Sequence, residues 1–99
     1  MTILENPMAQ TVVEDDNLLL TCSGIGYPSI GITWFKDGSP ITSNVYRQAF
    51  SGNSTLNIHS VSGSDSGVYM CLFSTSAGNL NSSEAKVVVL RKSIHLLFI

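Results

Sequence analysis

One stretch of this 99-residue chain constrains its fold more than any other: Asp65-Ser66-Gly67-Val68-Tyr69-Met70-Cys71. Asp, Ser and Gly are turn formers, because short polar side chains bond their own backbone and glycine takes positive φ without steric cost. The segment from Val68 onward reads as extended. Successive side chains of a strand point to opposite faces, so Tyr69, Cys71 and Phe73 share one face. That face must be buried, and one strand cannot bury itself. The remainder of the chain has to supply the covering layer.

Period-two alternation supplies it. Leu18, Leu20 and Cys22 alternate with Leu19, Thr21 and Ser23, which predicts a strand with the first set inward and Leu19 outward. Ile30, Ile32 and Trp34 fall on one face of a second strand. Asp37-Gly38 then reads as a hairpin turn, and residues 39–42 return from it with Ile41 inward. Residues 45–50 form a short strand and residues 51–54 a turn. Leu56 and Ile58 are inward on a strand over 55–59, with Val61 plugging the base of the core. After the strand at 68–74, residues 75–82 read as a polar loop, and 83–90 as a last strand with Ala85, Val87 and Val89 inward. At the start, residues 2–8 are expected to be an edge strand interrupted by Pro7, and Gln10 to Val13 a second piece of the same strand. Glu14-Asp15-Asp16-Asn17 is a turn. Seven or eight short strands, with turn signals about every 8–12 residues and no helical periodicity, predict an all-β sandwich or barrel.

Composition removes several functions. Net charge is −2 with no basic run, which argues against nucleic-acid binding through phosphates. Charged residues are 12 % of the chain, about half the usual share, and Ser, Thr, Asn and Gly fill the gap. His59 and His95 lack the acidic company of a metal site, and a solvated turn outweighs calcium binding at Glu14-Asp15-Asp16. No nucleophile elbow, catalytic triad context or phosphate loop is present, so no catalytic, cofactor or metal residue is assigned. Cys22 and Cys71 are an even count. Spacing alone leaves open a disulfide or two buried, unpaired thiols.

Cys22, Trp34 and Cys71, taken together, have the Cys…Trp…Cys spacing of an immunoglobulin domain. Around them, Gly26-Tyr27-Pro28, Ile32-Thr33-Trp34-Phe35-Lys36-Asp37-Gly38-Ser39-Pro40-Ile41, Leu56-Asn57-Ile58 and Asp65-Ser66-Gly67-Val68-Tyr69-Met70-Cys71 resemble the I-set, the intermediate immunoglobulin type of hemicentin-like matrix and adhesion proteins and titin-like muscle proteins. Ala77-Gly78 and the closing Ala85, Val87, Val89 alternation extend the likeness. The cysteines stand 49 positions apart, which favours the I-set over variable domains with their extra strands. Departures are Asp15 after Glu14, Phe73 and Thr75 late in the cysteine-bearing strand, and a longer connection before the last strand.

The resemblance implies a two-sheet Greek-key immunoglobulin sandwich over residues 7–90, with 1–6 as an extension that starts the first strand and 91–99 as an apolar tail outside the domain. It implies a Cys22–Cys71 disulfide with Trp34 packed on it, although muscle relatives can hold that pair reduced. It implies a Tyr69 hydroxyl bonded to backbone near Ser64 or Asp65, and an Asp65 that accepts backbone N–H groups or pairs with Arg47. Asn53-Ser54-Thr55 and Asn81-Ser82-Ser83 are N-glycosylation acceptor triplets, both at predicted turns.

The implied function is a non-catalytic protein-binding or cell-adhesion module of a longer extracellular matrix or cell-surface protein. Its partners would be other proteins, a copy of itself included. No nucleic acid, small-molecule substrate or cofactor is expected, and a membrane only through parts of a longer chain. The alternative is a cytoplasmic, sarcomeric spacer module. Candidate surfaces are the loops at 24–29 and 75–82 and the edge of the last strand near Val88 and Leu90. Met1-Thr2-Ile3-Leu4-Glu5 does not read as a signal peptide. The tail Ile94-His95-Leu96-Leu97-Phe98-Ile99 is far short of the ~20 residues a spanning helix needs, and reads as a native tail, the start of a membrane segment or a remnant outside the domain.

Overall fold

The computed structural model describes residues 1–26, 30–41, 46–50 and 52–92, with 46–50 as backbone. Expectations for Tyr27, Pro28, Arg47 and the 94–99 tail fall outside the described side chains. In chain order the described strands are β1 (Thr2–Glu5), β2 (Gln10–Val13), β3 (Leu18–Ile25), β4 (Gly31–Lys36), β5 (Ser39–Pro40), β6 (Tyr46–Phe50), β7 (Asn53–Ile58), β8 (Gly67–Thr75), β9 (Gly78–Asn81) and β10 (Ala85–Leu90). A 3-10 turn, Gly63–Asp65, precedes β8. One sheet has the order β1-β3-β7-β6; the other runs β2-β10-β8-β4-β5, with β9 also paired to β8.

Alternation sets which face is buried. Leu18, Leu20, Leu56 and Ile58 project from the first sheet, and Trp34, Tyr69, Cys71, Phe73, Ala85 and Val87 from the second, into one core that Val61 closes. Leu19 points out, at 52 % exposure. Asp37-Gly38 has positive φ at both residues (51° and 84°), the geometry of the two-residue hairpin turn whose twist matches the flanking strands.

Several expectations change, among them the loop at 24–29, since Gly24 and Ile25 end β3 and pair with Ile3 and Thr2. Residues 2–13 are not one interrupted edge strand. β1 pairs antiparallel with β3 in the first sheet, whereas β2 pairs parallel with β10 in the second. Pro7, buried between them, lies where the chain crosses from one sheet to the other. Residues 75–82 are not a loop. Thr75 pairs with Gly78, and Leu72 with Asn81, so β8 and β9 form a hairpin about Ser76 and Ala77. Gly78, Asn79, Leu80 and Asn81 have one large apolar side chain among them, which conceals this strand, because its stabilisation comes from the β8 ladder and not from its own apolar pattern. Lastly, Asn53 and Ser54 belong to β7, since cross-strand pairing with Ser23 and Cys22 extends that strand by two residues.

Candidate interaction face and the core beneath it

Cys22 and Cys71 are joined by a disulfide, with a Cα–Cα distance of 6.6 Å across the two sheets. Trp34 is the register partner of Cys71 and is 1 % exposed. A buried indole N–H needs an acceptor. Trp34 Nε1 donates to Ser54 Oγ at 2.9 Å, and Ser54 is itself buried.

At the corner before β8, the Tyr69 hydroxyl donates to the Asp65 carbonyl at 2.6 Å. Asp65 Oδ2 accepts the Ser62 N–H at 2.8 Å and closes the 3-10 turn. Burial, followed by the nearby Asp65 and then Asp37 carboxylates, pushes the Tyr69 pKa up to about 12, because each disfavours a phenolate. Asp37 Oδ1 accepts the Val68 N–H at 2.9 Å and its own N–H donates to the Val68 carbonyl at 2.8 Å, tying the β4–β5 hairpin to the start of β8. This contact explains Gly67. A Cβ there would stand 2.8 Å from Asp37 Oδ2 and 3.0 Å from Lys36 Cε.

Sequence reasoning misses Ser54 and Ser82 as structural residues. Each is the middle residue of an acceptor triplet, and each is buried. Ser82 Oγ accepts the Cys71 N–H and donates to the Ser83 carbonyl, both at 2.8 Å. Period two is the signal that could have found Ser54. Continuing the Leu56, Ile58 phase back by two places puts it inward. Both acceptor asparagines are in strands and not in turns. Asn53 begins β7 on the outer face of the first sheet, and Asn81 ends β9 on the outer face of the second; both are exposed.

That second outer face is the unusual surface. A sheet with one face in water normally alternates apolar and polar residues. Here β8 is apolar on both sides. Tyr69, Cys71 and Phe73 point in, while Val68, Met70 and Leu72 point out, half-buried by their neighbours. The strand registers continue the outer set into Phe35, Pro40 and Thr33 on one side. On the other they continue it into Val88 and Leu90 of β10 and Val13 of β2, at 36 %, 48 % and 39 % exposure. Among the described residues Lys86 is the only charged one that these registers place on this face.

The edges are unequal. The expected free edge near Val88 and Leu90 is occupied, because β2 pairs with β10 at Val88↔Thr11 and Leu90↔Val13. β9 is paired only with β8 among the described residues. Two of the carboxylates in the 14–17 turn have partners: Glu14 Oε1 accepts the Lys92 N–H at 2.9 Å, and Asp15 lies 3.5 Å from Lys92 Nζ.

Comparison with known proteins places this arrangement. A family model described as an immunoglobulin domain matches residues 2–74. Human hemicentin-1 is 35 % identical over 85 residues, covering 85 % of this chain and 2 % of that protein. Mouse roundabout homolog 4 is 33 % identical over 90 residues, covering 90 % of this chain and 9 % of that protein. The chain thus spans a small fraction of the length of these relatives. Among solved structures, a crystal structure of a titin–obscurin-like 1 immunoglobulin complex superposes with a TM-score of 0.85 at 26 % identity, covering 93 % of this chain and 95 % of that one. The chain belongs to the immunoglobulin superfamily.

Proposed function

We propose that this chain is a non-catalytic protein-binding module of a longer extracellular matrix or cell-surface protein, and that it pairs with a second copy of itself through the outer face of the β2-β10-β8-β4-β5 sheet. The observation that carries this reading is the apolar outer set Val68, Met70 and Leu72 on a strand whose other side already fills the core. The six strands of this sheet, β9 included, hold 31 residues, and at about 4.8 Å by about 3.4 Å each they give a footprint of roughly 500 Å². Two such faces bury about 1,000 Å², the lower bound for a specific but weak association. Self-pairing also fits the charge distribution. A two-fold axis parallel to β8 would carry the off-centre Lys86 across to the partner's β4–β5 side, and in that arrangement like charges do not meet.

The disulfide, the two exposed acceptor asparagines and the likeness to hemicentin and roundabout support the extracellular setting. Likeness to titin modules supports the alternative, a sarcomeric spacer. Intact mass of native material, with and without reductant and glycosidase, separates the two; a reduced, unglycosylated chain would sink the extracellular setting. For the face itself, sedimentation of the oxidised, unglycosylated chain should show a monomer–dimer equilibrium. Met70→Arg, or Val88→Lys at a more exposed position, should return it to monomer without changing its circular dichroism. A wild-type chain that stays monomeric at millimolar concentration refutes the pairing.

A further inference from the structure

We propose that Asn81 accepts an N-linked oligosaccharide, and that its occupancy closes the outer face of the second sheet to a second copy. The closing step rests on the pairing reading above; the acceptor assignment does not.

Asn81 ends β9 and pairs with Leu72, which in turn pairs with Thr33. The three form one row across the outer face, with strand-to-strand steps of about 4.8 Å. An oligosaccharide on Asn81 therefore begins one strand away from Leu72 and overhangs the apolar set. The triplet is also held in the form that presents it. The buried Ser82 hydroxyl is fixed by the Cys71 N–H and the Ser83 carbonyl, which leaves Asn81 and Ser83 both exposed. Among the described residues no hydrogen bond engages the Asn81 side-chain amide.

The edge supplies a second observation. The Ser82 N–H donates to the Cys71 carbonyl at 2.8 Å, so alternation in an antiparallel ladder turns the N–H and C=O of Asn81 and Asn79 away from β8. Exposed edges of this kind are usually blunted by charge, proline or a bulge. From Thr75 to Asn81 this hairpin has neither charge nor proline. A glycan is the device that this sequence offers in their place.

Asn53 is the internal control. It lies on the opposite sheet between β3 and β6, as the partner of Ser23 and Phe50, so a glycan there leaves the second face open. The donor would be a lipid-diphosphate-linked oligosaccharide. The Asn81 amide nitrogen attacks its anomeric carbon, a C–N bond forms, the C–O bond to the diphosphate breaks, the lipid diphosphate leaves, and the nitrogen gives one proton to a base. No redox change occurs.

The test secretes the chain from a glycosylating eukaryotic cell as wild type, Asn81→Gln and Asn53→Gln. Intact mass and glycosidase-treated peptide mass should show one glycan lost in Asn81→Gln. In sedimentation, Asn81→Gln should pair as the unglycosylated chain does, while wild type and Asn53→Gln pair about tenfold more weakly or worse. An Asn81 that carries no glycan in the secreted protein overturns the acceptor assignment. Equal pairing of wild type and Asn81→Gln, with the glycan present on the former, overturns the gate. If the unglycosylated chain fails to pair, the gate falls along with the pairing reading, while the mass measurement still decides the acceptor.

Discussion

Tyr69→Phe removes one oxygen atom and tests the corner that carries β8. The hydroxyl donates to the Asp65 carbonyl at 2.6 Å, from a side chain that is 1 % exposed. A net hydrogen bond contributes about 0.5–1.5 kcal/mol, and a stranded buried acceptor costs about 1–3 kcal/mol. Asp65 is only half-buried, so water can reach its carbonyl and the loss should be about 1 kcal/mol. For a domain of this size that lowers the melting temperature by about 4–8 °C. The pH dependence is more specific. Folded Tyr69 titrates at about 12, above the ordinary tyrosine value of 10.0. Between these two values the folded chain holds a proton that the unfolded chain has lost, so wild-type stability is complete below the lower value and falls as pH rises toward the upper one. The slope of that loss is at most about 1.4 kcal/mol per pH unit. The variant has no phenol at this position and lacks that slope. Its deficit of about 1 kcal/mol at neutral pH should therefore shrink above pH ~10 and reverse before pH ~12. Urea unfolding followed by Trp34 fluorescence, over a pH series, measures both effects. Equal midpoints at neutral pH, or a deficit that stays constant into the alkaline range, would refute the corner hydrogen bond.

Ser54→Ala should destabilise the domain by about 1–3 kcal/mol, because it leaves the buried Trp34 indole N–H without its acceptor; a thermal melt unchanged from wild type would contradict this. Opening the Cys22–Cys71 bond by reduction, or by Cys22→Ala with Cys71→Ala, frees a loop of 49 positions and should cost about 4 kcal/mol on the chain-entropy account. Paired urea melts with and without reductant check it, and coincident curves would show that the bond adds nothing to stability.

The apolar set that we assign to binding is present in the sequence but ambiguous there. Val68-Tyr69-Met70-Cys71-Leu72-Phe73 is a continuous apolar run. Period two separates its two faces and identifies the one with the cysteine as inward. It does not say whether the other face meets water or protein. The structure resolves part of that: no element among the described residues covers Val68, Met70 and Leu72, and the row from Asn81 through Leu72 to Thr33 is exposed to solvent at Asn81. Serines 54 and 82 are equally visible and equally mute. A hydroxyl gives no sign of its burial until the strand phase is extended through it.

By itself the sequence determined the inward sets: Leu18, Leu20 and Cys22; Trp34; Leu56 and Ile58; Tyr69, Cys71 and Phe73; and Ala85 and Val87. Hydrophobic alternation is a local property, read over five or six residues, and burial follows from it directly. The Asp37-Gly38 turn was legible for the same reason, since positive φ at adjacent positions is a local steric matter. What only the tertiary structure decided is pairing. Whether β1 and β2 continue one sheet or divide between two, whether residues 78–81 join β8, and whether the edge at Val88 is free all depend on backbone hydrogen bonds between distant segments. Those bonds are made by backbone groups that every residue except proline carries, so side-chain pattern does not encode them.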